Sequence, residues 1–246
     1  MKRSGSGPPG AVMSPMQKYW KDENELFALA RQELFTAVVG DVMDKLGLRR
    51  QFLPPVIRPL RREMVTIGRA MTVLEADFFE EDFAEGRNPI SAQSFGLMFD
   101  ALDDLKQNEI YTCTGASPRY ALWGELMTVR ALKCGAAGAV LDGYSRDTKG
   151  VLALGFPTFS WGSYGQDQGP RGKVVDYRVP VEIEGVRIHP GDIIFGDIDG
   201  VCVIPCKAEQ DTFVAALSKV RREKTVRKAL EGGMTAKAAF QKYGIL

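Results

Sequence analysis

The residue types most able to do chemistry in this chain fall in two short runs, Gly124-Glu125-Leu126-Met127 and Arg146-Asp147. Gly124 stands where a helix is expected to begin, and a glycine there lets other groups approach the backbone closely. The first-turn N–H groups of a helix have no intrahelical partner, so a helix start is a ready site for a carboxylate. An arginine nearby adds charge-assisted hydrogen bonds to the ligand's oxygens. An aspartate beside it can hold a hard cation such as Mg²⁺, which takes only one or two protein carboxylates and keeps several waters. Together the two runs would bind a 2-oxo acid and stabilise the enolate formed when a carbon–carbon bond breaks. Each run alone is a weak signal. An Arg-Asp pair, for instance, is more often a surface ion pair worth about 0–1 kcal/mol.

Composition removes several competing chemistries. The 246 residues contain one histidine, His189, just before Pro190-Gly191 in an expected surface turn. That leaves little to build a Ser-His-Asp arrangement or a Cys/His zinc site on. Of the four cysteines, Cys134 and Cys202 lie in apolar runs, where a cysteine usually behaves as a small core residue. A formal charge of +1 offers no concentrated basic surface, so nucleic acid is not an expected partner. No apolar run approaches the ~20 residues of a membrane helix, so no membrane association is expected either. Residues 1–23 read as a flexible leader without the apolar stretch of a secretory signal, and the expected compartment is the cytoplasm.

The two runs need a scaffold, and the middle of the chain supplies its pattern. Helical spacing covers Asn24–Leu46, with Thr36 placed to cap a second segment, Ala37–Leu46, that Gly47 ends. Met64–Leu74 reads as a strand, and the acidic stretch from Asp77 to Arg87 as a solvated loop or helix edge. Gly124–Lys133 reads as a helix stopped at Cys134-Gly135, followed by a buried strand Gly138–Leu141 and the turn Asp142-Gly143. Thr148–Leu154 is a short helix and Phe156–Trp161 the next strand. In such α-β-α-β passages ligands collect beyond the carboxyl ends of the strands. From Lys173 on the pattern turns β-rich, with a hairpin around Glu184-Gly185 and strands at Ile193–Phe195 and Gly200–Ile204. Helical spacing returns over Glu209–Leu230, and a tail helix follows. The reading is one α/β domain over residues 24–246.

The runs Ala121-Leu122-Trp123-Gly124-Glu125-Leu126 and Gly138-Ala139-Val140-Leu141-Asp142-Gly143-Tyr144-Ser145-Arg146-Asp147 resemble the RraA-like family, as do Leu154-Gly155-Phe156-Pro157 and Pro190 to Val201. That family includes the class II 4-hydroxy-4-methyl-2-oxoglutarate / 4-carboxy-4-hydroxy-2-oxoadipate aldolases. The resemblance spans roughly Leu34 to Leu246. It implies a three-layer β/β/α swivelling domain with flanking terminal helices, assembled as a homotrimer or homohexamer with sites near subunit interfaces. It also implies divalent-metal-dependent retro-aldol cleavage that releases pyruvate, with oxaloacetate decarboxylation as a side activity. Carried over by position, Gly124, Glu125, Leu126 and Met127 bind the pyruvyl carboxylate, Arg146 polarises the keto oxygen, and Asp147 holds the metal, Mg²⁺ or Mn²⁺. Arg146 and Glu125 are the catalytic candidates. Glu125 replaces the aspartate of the aldolase pattern. A carboxylate from a neighbouring subunit, such as Glu223, would complete the site. The alternatives are a non-catalytic regulator of the ribonuclease-inhibitor type on the same fold, and a lyase or hydratase acting on sugar acids. Asp147 favours catalysis, because the regulator lacks an aspartate after the arginine. A methyltransferase is disfavoured by the lack of a glycine-rich strand-to-helix loop, and a Schiff-base aldolase by the lack of a lysine in these runs.

Overall fold

The computed structural model describes residues 19–78 and 89–244. Most of the 1–23 leader and of the acidic Asp77–Arg87 stretch therefore lies outside the described residues. The chain meets the core ahead of the Asn24 boundary. Trp20 is buried against Phe213 (ring centroids 6.3 Å apart), and helix α1 (Glu23–Glu33) starts from an N-cap at Asp22, whose carboxylate accepts from the Glu25 N–H.

One mixed sheet organises the domain. Its strands are β1 (Arg58–Pro59), β2 (Thr66–Asp77), β3 (Glu109–Thr114), β5 (Gly138–Leu141), β7 (Thr158–Ser160), β8 (Gly172–Tyr177), β11 (Ile193–Asp197) and β12 (Gly200–Ile204). They run in the order β1-β7-β5-β3-β2-β11-β12, and β8 pairs with the far half of the long strand β2. The β2, β3, β5 and β7 ladders are parallel, whereas β1, β8, β11 and β12 join antiparallel. Separate pairs are the parallel β4 (Ala121–Trp123) with β6 (Tyr144–Ser145), and the hairpin β9 (Val181–Ile183) with β10 (Val186–Ile188).

Alternation along the strands divides the core between two faces, as a period of two requires. Ile193, Phe195, Cys202 and Ile204 face α1, α2 (Thr36–Lys45) and α6 (Glu209–Glu231). On the same side Tyr111, Cys113, Ala139 and Leu141 meet Trp123 and the helices α3 (Met98–Asp103), α4 (Glu125–Cys134) and α5 (Thr148–Ala153). Their neighbours Ile110, Val140, Ile194, Val201 and Val203 point the other way, into the β9–β10 hairpin (Val181, Ile183, Val186, Ile188). Hairpin, sheet and helices form the three β/β/α layers that the family resemblance implied. The hairpin turn falls at Glu184-Gly185, both with positive φ, as a two-residue turn between right-twisted strands demands.

One local expectation is corrected. Thr36 does not cap α2: Phe35 holds the N-cap position and offers no side-chain bond. The start of α2 is instead served by Asp197, at the end of β11, which accepts from both the Thr36 N–H and its hydroxyl at 2.7 Å. A buried carboxylate at a helix N-terminus satisfies orphan donors, and here it comes from 161 residues away. The final helix α7 (Ala236–Tyr243) is capped by Thr235 and closes at Gly244.

Candidate active site

The two chemistry-bearing runs meet because β4 and β6 lie side by side. Trp123 pairs with Ser145, and the Arg146 N–H donates to the Trp123 carbonyl at 2.8 Å. The chain leaves β4 into Gly124 and leaves β6 into Arg146-Asp147, so both runs emerge at the carboxyl ends of parallel strands. Trp123 fixes this corner. Its indole is buried, stacks on Phe156 (5.9 Å, 11°), and donates to the Thr128 hydroxyl at 2.8 Å. That hydroxyl in turn donates to the Gly124 carbonyl at 3.0 Å, pinning the first turn of α4 to the strand before it.

Gly124 is the N-cap of α4 and provides no side-chain cap. The group nearest that helix start is the Asp147 carboxylate, whose Oδ2 lies 3.5 Å from the Glu125 nitrogen. A Cβ on residue 124 would stand 2.8 Å from the same oxygen, so only glycine leaves this carboxylate in place. Asp147 has φ 54°, a left-handed conformation that is uncommon outside glycine and costs on the order of 1 kcal/mol. It occupies the N-cap position of α5, yet its carboxylate does not cap that helix. It turns instead toward Gly124 and Arg146.

Arg146 lies between two carboxylates. Its Nη1 pairs with Asp167 Oδ1, and its Nε is 3.5 Å from Asp147 Oδ2. Asp167 escaped the sequence reading. It sits in the loop after β7, in the polar run Gly165-Gln166-Asp167-Gln168-Gly169, which carries no period and resembles any surface turn. The loop is brought alongside β4 by the Ala121 N–H, which donates to the Gln166 carbonyl at 2.9 Å.

A cavity of about 500 Å³ opens at this corner. Gly124, Leu126, Met127, Arg146, Asp147 and Asp167 line one part of it, and Phe95, Met98, Phe99 and Leu102 another. Gly124, Leu126, Met127, Arg146 and Asp147 are thus brought together as expected, although the Leu126 side chain is 84% exposed at the rim. Glu125 is placed differently. Its backbone nitrogen faces Asp147, but its carboxylate lies over Gly150, where an added Cβ would fall 2.3 Å from Glu125 Cδ and Oε2. It is not among the cavity-lining residues. Glu223 of this chain is elsewhere, on α6, 3.5 Å from Lys219 Nζ.

A hard divalent cation fits the donor set. Asp147 and Asp167 are half-exposed carboxylates with acceptor positions to spare, and both flank the cavity. Among the described residues no three His, Cys, Asp or Glu side chains converge as a metal cluster. A cation here would therefore use one or two carboxylates and keep its waters, the habit of Mg²⁺ rather than of zinc.

The fold and site define a class: a three-layer swivelling α/β domain with a ligand cavity at the carboxyl ends of its parallel strands. The sequence profile of the RraA-like family, described as aldolase/RraA, matches residues 36–203, and the chain belongs to that family. A Legionella pneumophila protein, DlpA, is 29% identical over 210 residues, 85% of this chain; the match spans about a third (32%) of DlpA's own length. A Halalkalibacterium halodurans protein named "Putative 4-hydroxy-4-methyl-2-oxoglutarate aldolase" is 30% identical over 205 residues, covering 83% of this chain and 89% of the relative. Among solved structures, an uncharacterized Pseudomonas syringae protein superposes with a TM-score of 0.76 at 26% identity, covering 94% of this chain and 100% of its own. A Streptomyces coelicolor protein, RraAS2, titled an unusual member of the RNase ES inhibitor RraA protein family, superposes with a TM-score of 0.70 at 23% identity over 85% of this chain and 99% of its own. That likeness concerns the fold alone.

Proposed function

We propose that this protein is a divalent-metal-dependent lyase that cleaves a hydroxylated 2-oxo acid by a retro-aldol reaction and releases pyruvate, with oxaloacetate decarboxylation as a related activity. The observation that carries this reading is the meeting of a helix start, an arginine and an aspartate held to both only at 3.5 Å, all at one cavity. The aldolase name of a relative that covers most of both chains supports it.

In this reading the first turn of α4, with Glu125, Leu126 and Met127 supplying N–H groups, receives the pyruvyl carboxylate. Arg146 directs its guanidinium at the keto oxygen, where negative charge grows as the bond breaks. Asp167, ion-paired to Arg146, orients it. Asp147 would hold the cation. When bound, the cation supplies Lewis-acid stabilisation of the developing charge. Glu125 takes a positioning part, since its carboxylate lies against α5. The reading extends to a homotrimer or homohexamer, consistent with Val129 and Leu132 exposed on α4 outside the cavity lining; light scattering on the purified chain tests it. Among the described residues no helix is long and apolar enough to cross a membrane.

The experiment is a coupled pyruvate-release assay on oxaloacetate and 4-hydroxy-2-oxo acids, with Mg²⁺ and with a chelator. Turnover that disappears with the chelator is expected. No metal-dependent turnover on any of them would overturn the proposal. The second reading is a non-catalytic regulator on the same fold, since the family profile is described as aldolase/RraA. Co-purification with a ribonuclease, unaffected by chelator, would favour it.

A further inference from the structure

The cavity is much larger than a three-carbon acid requires, so its remaining wall must select the far end of the substrate. That wall is apolar. Met98, Phe99 and Leu102 project from α3, Phe95 precedes them, and Met127 and Leu126 close the opposite side. Phe95 holds φ 67°, an unusual conformation for a bulky residue, and its ring meets Phe99 edge-on at 5.6 Å. Backbone strain of this kind persists only where the surroundings enforce it and clusters at ligand sites. Phe99 and Leu126 remain 57% and 84% exposed at the mouth, apolar surface open to a ligand.

Charge points the same way. Among the described lining residues the guanidiniums are Arg130 and Arg146, and both are engaged. Arg130 Nε pairs with Asp103 at 2.6 Å, and Arg146 lies between Asp147 and Asp167. Within one protomer, Asp103, Asp147 and Asp167 against these two guanidiniums leave one excess negative charge among the described lining residues. A divalent cation would turn this into one net positive charge, which matches a single carboxylate. A second carboxylate at the far end would meet Phe95, Met98, Phe99 and Leu102, with no free cation among the described lining residues, and desolvating an unpaired carboxylate is costly.

We propose that the preferred substrate is a 4-hydroxy-2-oxo monocarboxylic acid whose substituent beyond C4 is an apolar alkyl or aryl group, seated on the Phe95–Leu102 wall. This rests on the 2-oxo acid reading above, and departs from the diacid skeleton in the relative's name. The reaction balances without a further reagent. The C4 hydroxyl loses its proton, C4 becomes the carbonyl carbon of an apolar aldehyde, and the C3–C4 pair passes to C3. Protonation of C3 gives the methyl group of pyruvate.

Two measurements test the inference. In the first, kcat/KM for pyruvate release with Mg²⁺ is compared across acids whose C4 substituent grows from methyl to pentyl and phenyl, and against one ending in a carboxylate. About a fourfold rise per added methylene is expected until the wall is filled, with the diacid at least tenfold behind. A flat series, or a preferred diacid, overturns the inference while leaving the lyase reading intact. In the second, binding is measured by calorimetry with the Mg²⁺-loaded protein and two unreactive probes, 2-oxooctanoate and 2-oxoglutarate. Tighter binding of 2-oxooctanoate by tenfold or more is expected, and the reverse order overturns the inference. Binding in the expected order without turnover in the first assay would sink the lyase reading alone. Phe99→Arg, at an exposed position, should reverse both preferences; unchanged preferences would show that the wall does not select.

Discussion

Arg178 and Arg146 each lie between two carboxylates, and the contrast between them separates architecture from chemistry. Arg178 is fully engaged. Its guanidinium grips Glu109 at 2.7 and 2.9 Å, the Asp104 carbonyl at 2.8 Å, and the Asp104 carboxylate through Nε. Those contacts hold the arginine firmly charged and push the Asp104 carboxyl below its usual range. Arg146 has one close partner, Asp167, and a second, Asp147, at 3.5 Å. Its surroundings are a cavity, an uncapped helix start and a left-handed backbone. A saturated cluster joins β8 to the α3–β3 connection; an unsaturated one is left with bonding capacity for a ligand. Neither sequence neighbourhood shows the difference.

Removing the loosely held Asp147 carboxylate should have the largest effect. Asp147→Ala is expected to lower metal-dependent pyruvate release by ~10³-fold or more, with a thermal midpoint close to that of the parent. Retained turnover at saturating Mg²⁺ would refute the ligand assignment. The mirror experiment is Arg178→Met, which strands the buried Glu109 carboxylate. We expect it to cost about 3 kcal/mol in urea unfolding, while kcat per folded molecule stays near the parent value. Loss of kcat without loss of stability would erase the contrast between the two arginines.

Arg146→Lys comes next, at about 10²-fold in kcat, because a point-charge ammonium does not reproduce the planar fork. A carboxyl extends the comparison. Glu75 is 2% exposed, and burial, with the Asp77 charge adding to it, raises its pKa to about 8. A raised acid is protonated in the fold. Its contribution to stability is full below the unfolded carboxyl value near ~4.3 and is lost as pH climbs toward about 8. Glu75→Gln should remove that slope, so that the variant gains stability relative to the parent as pH rises from 5 to 8. Parallel stability profiles from pH 5 to 8 would contradict it. The smallest effect is expected for Glu125→Gln, less than about tenfold in kcat/KM, since that carboxylate faces Gly150. A loss as deep as that of Asp147→Ala would restore Glu125 to the chemistry.

Much of this was legible in the residues themselves. The apolar runs Ile193–Phe195 and Gly138–Leu141, the Glu184-Gly185 turn and the glycine stop after Cys134 are local signals that held in place. Gly124 and Arg146-Asp147 were visible because a helix start and a strand end have their own signatures, and the family resemblance joined them. Backbone preference and hydrophobic period act over a few residues, so a linear string contains them. What only the tertiary structure decided are meetings across the chain. Asp197 serves the start of α2, Asp167 reaches Arg146 from an unpatterned loop, Glu125 turns away over Gly150, and the Phe95–Leu102 segment becomes a cavity wall. Each depends on where packed layers place a side chain, and no short window of sequence encodes that.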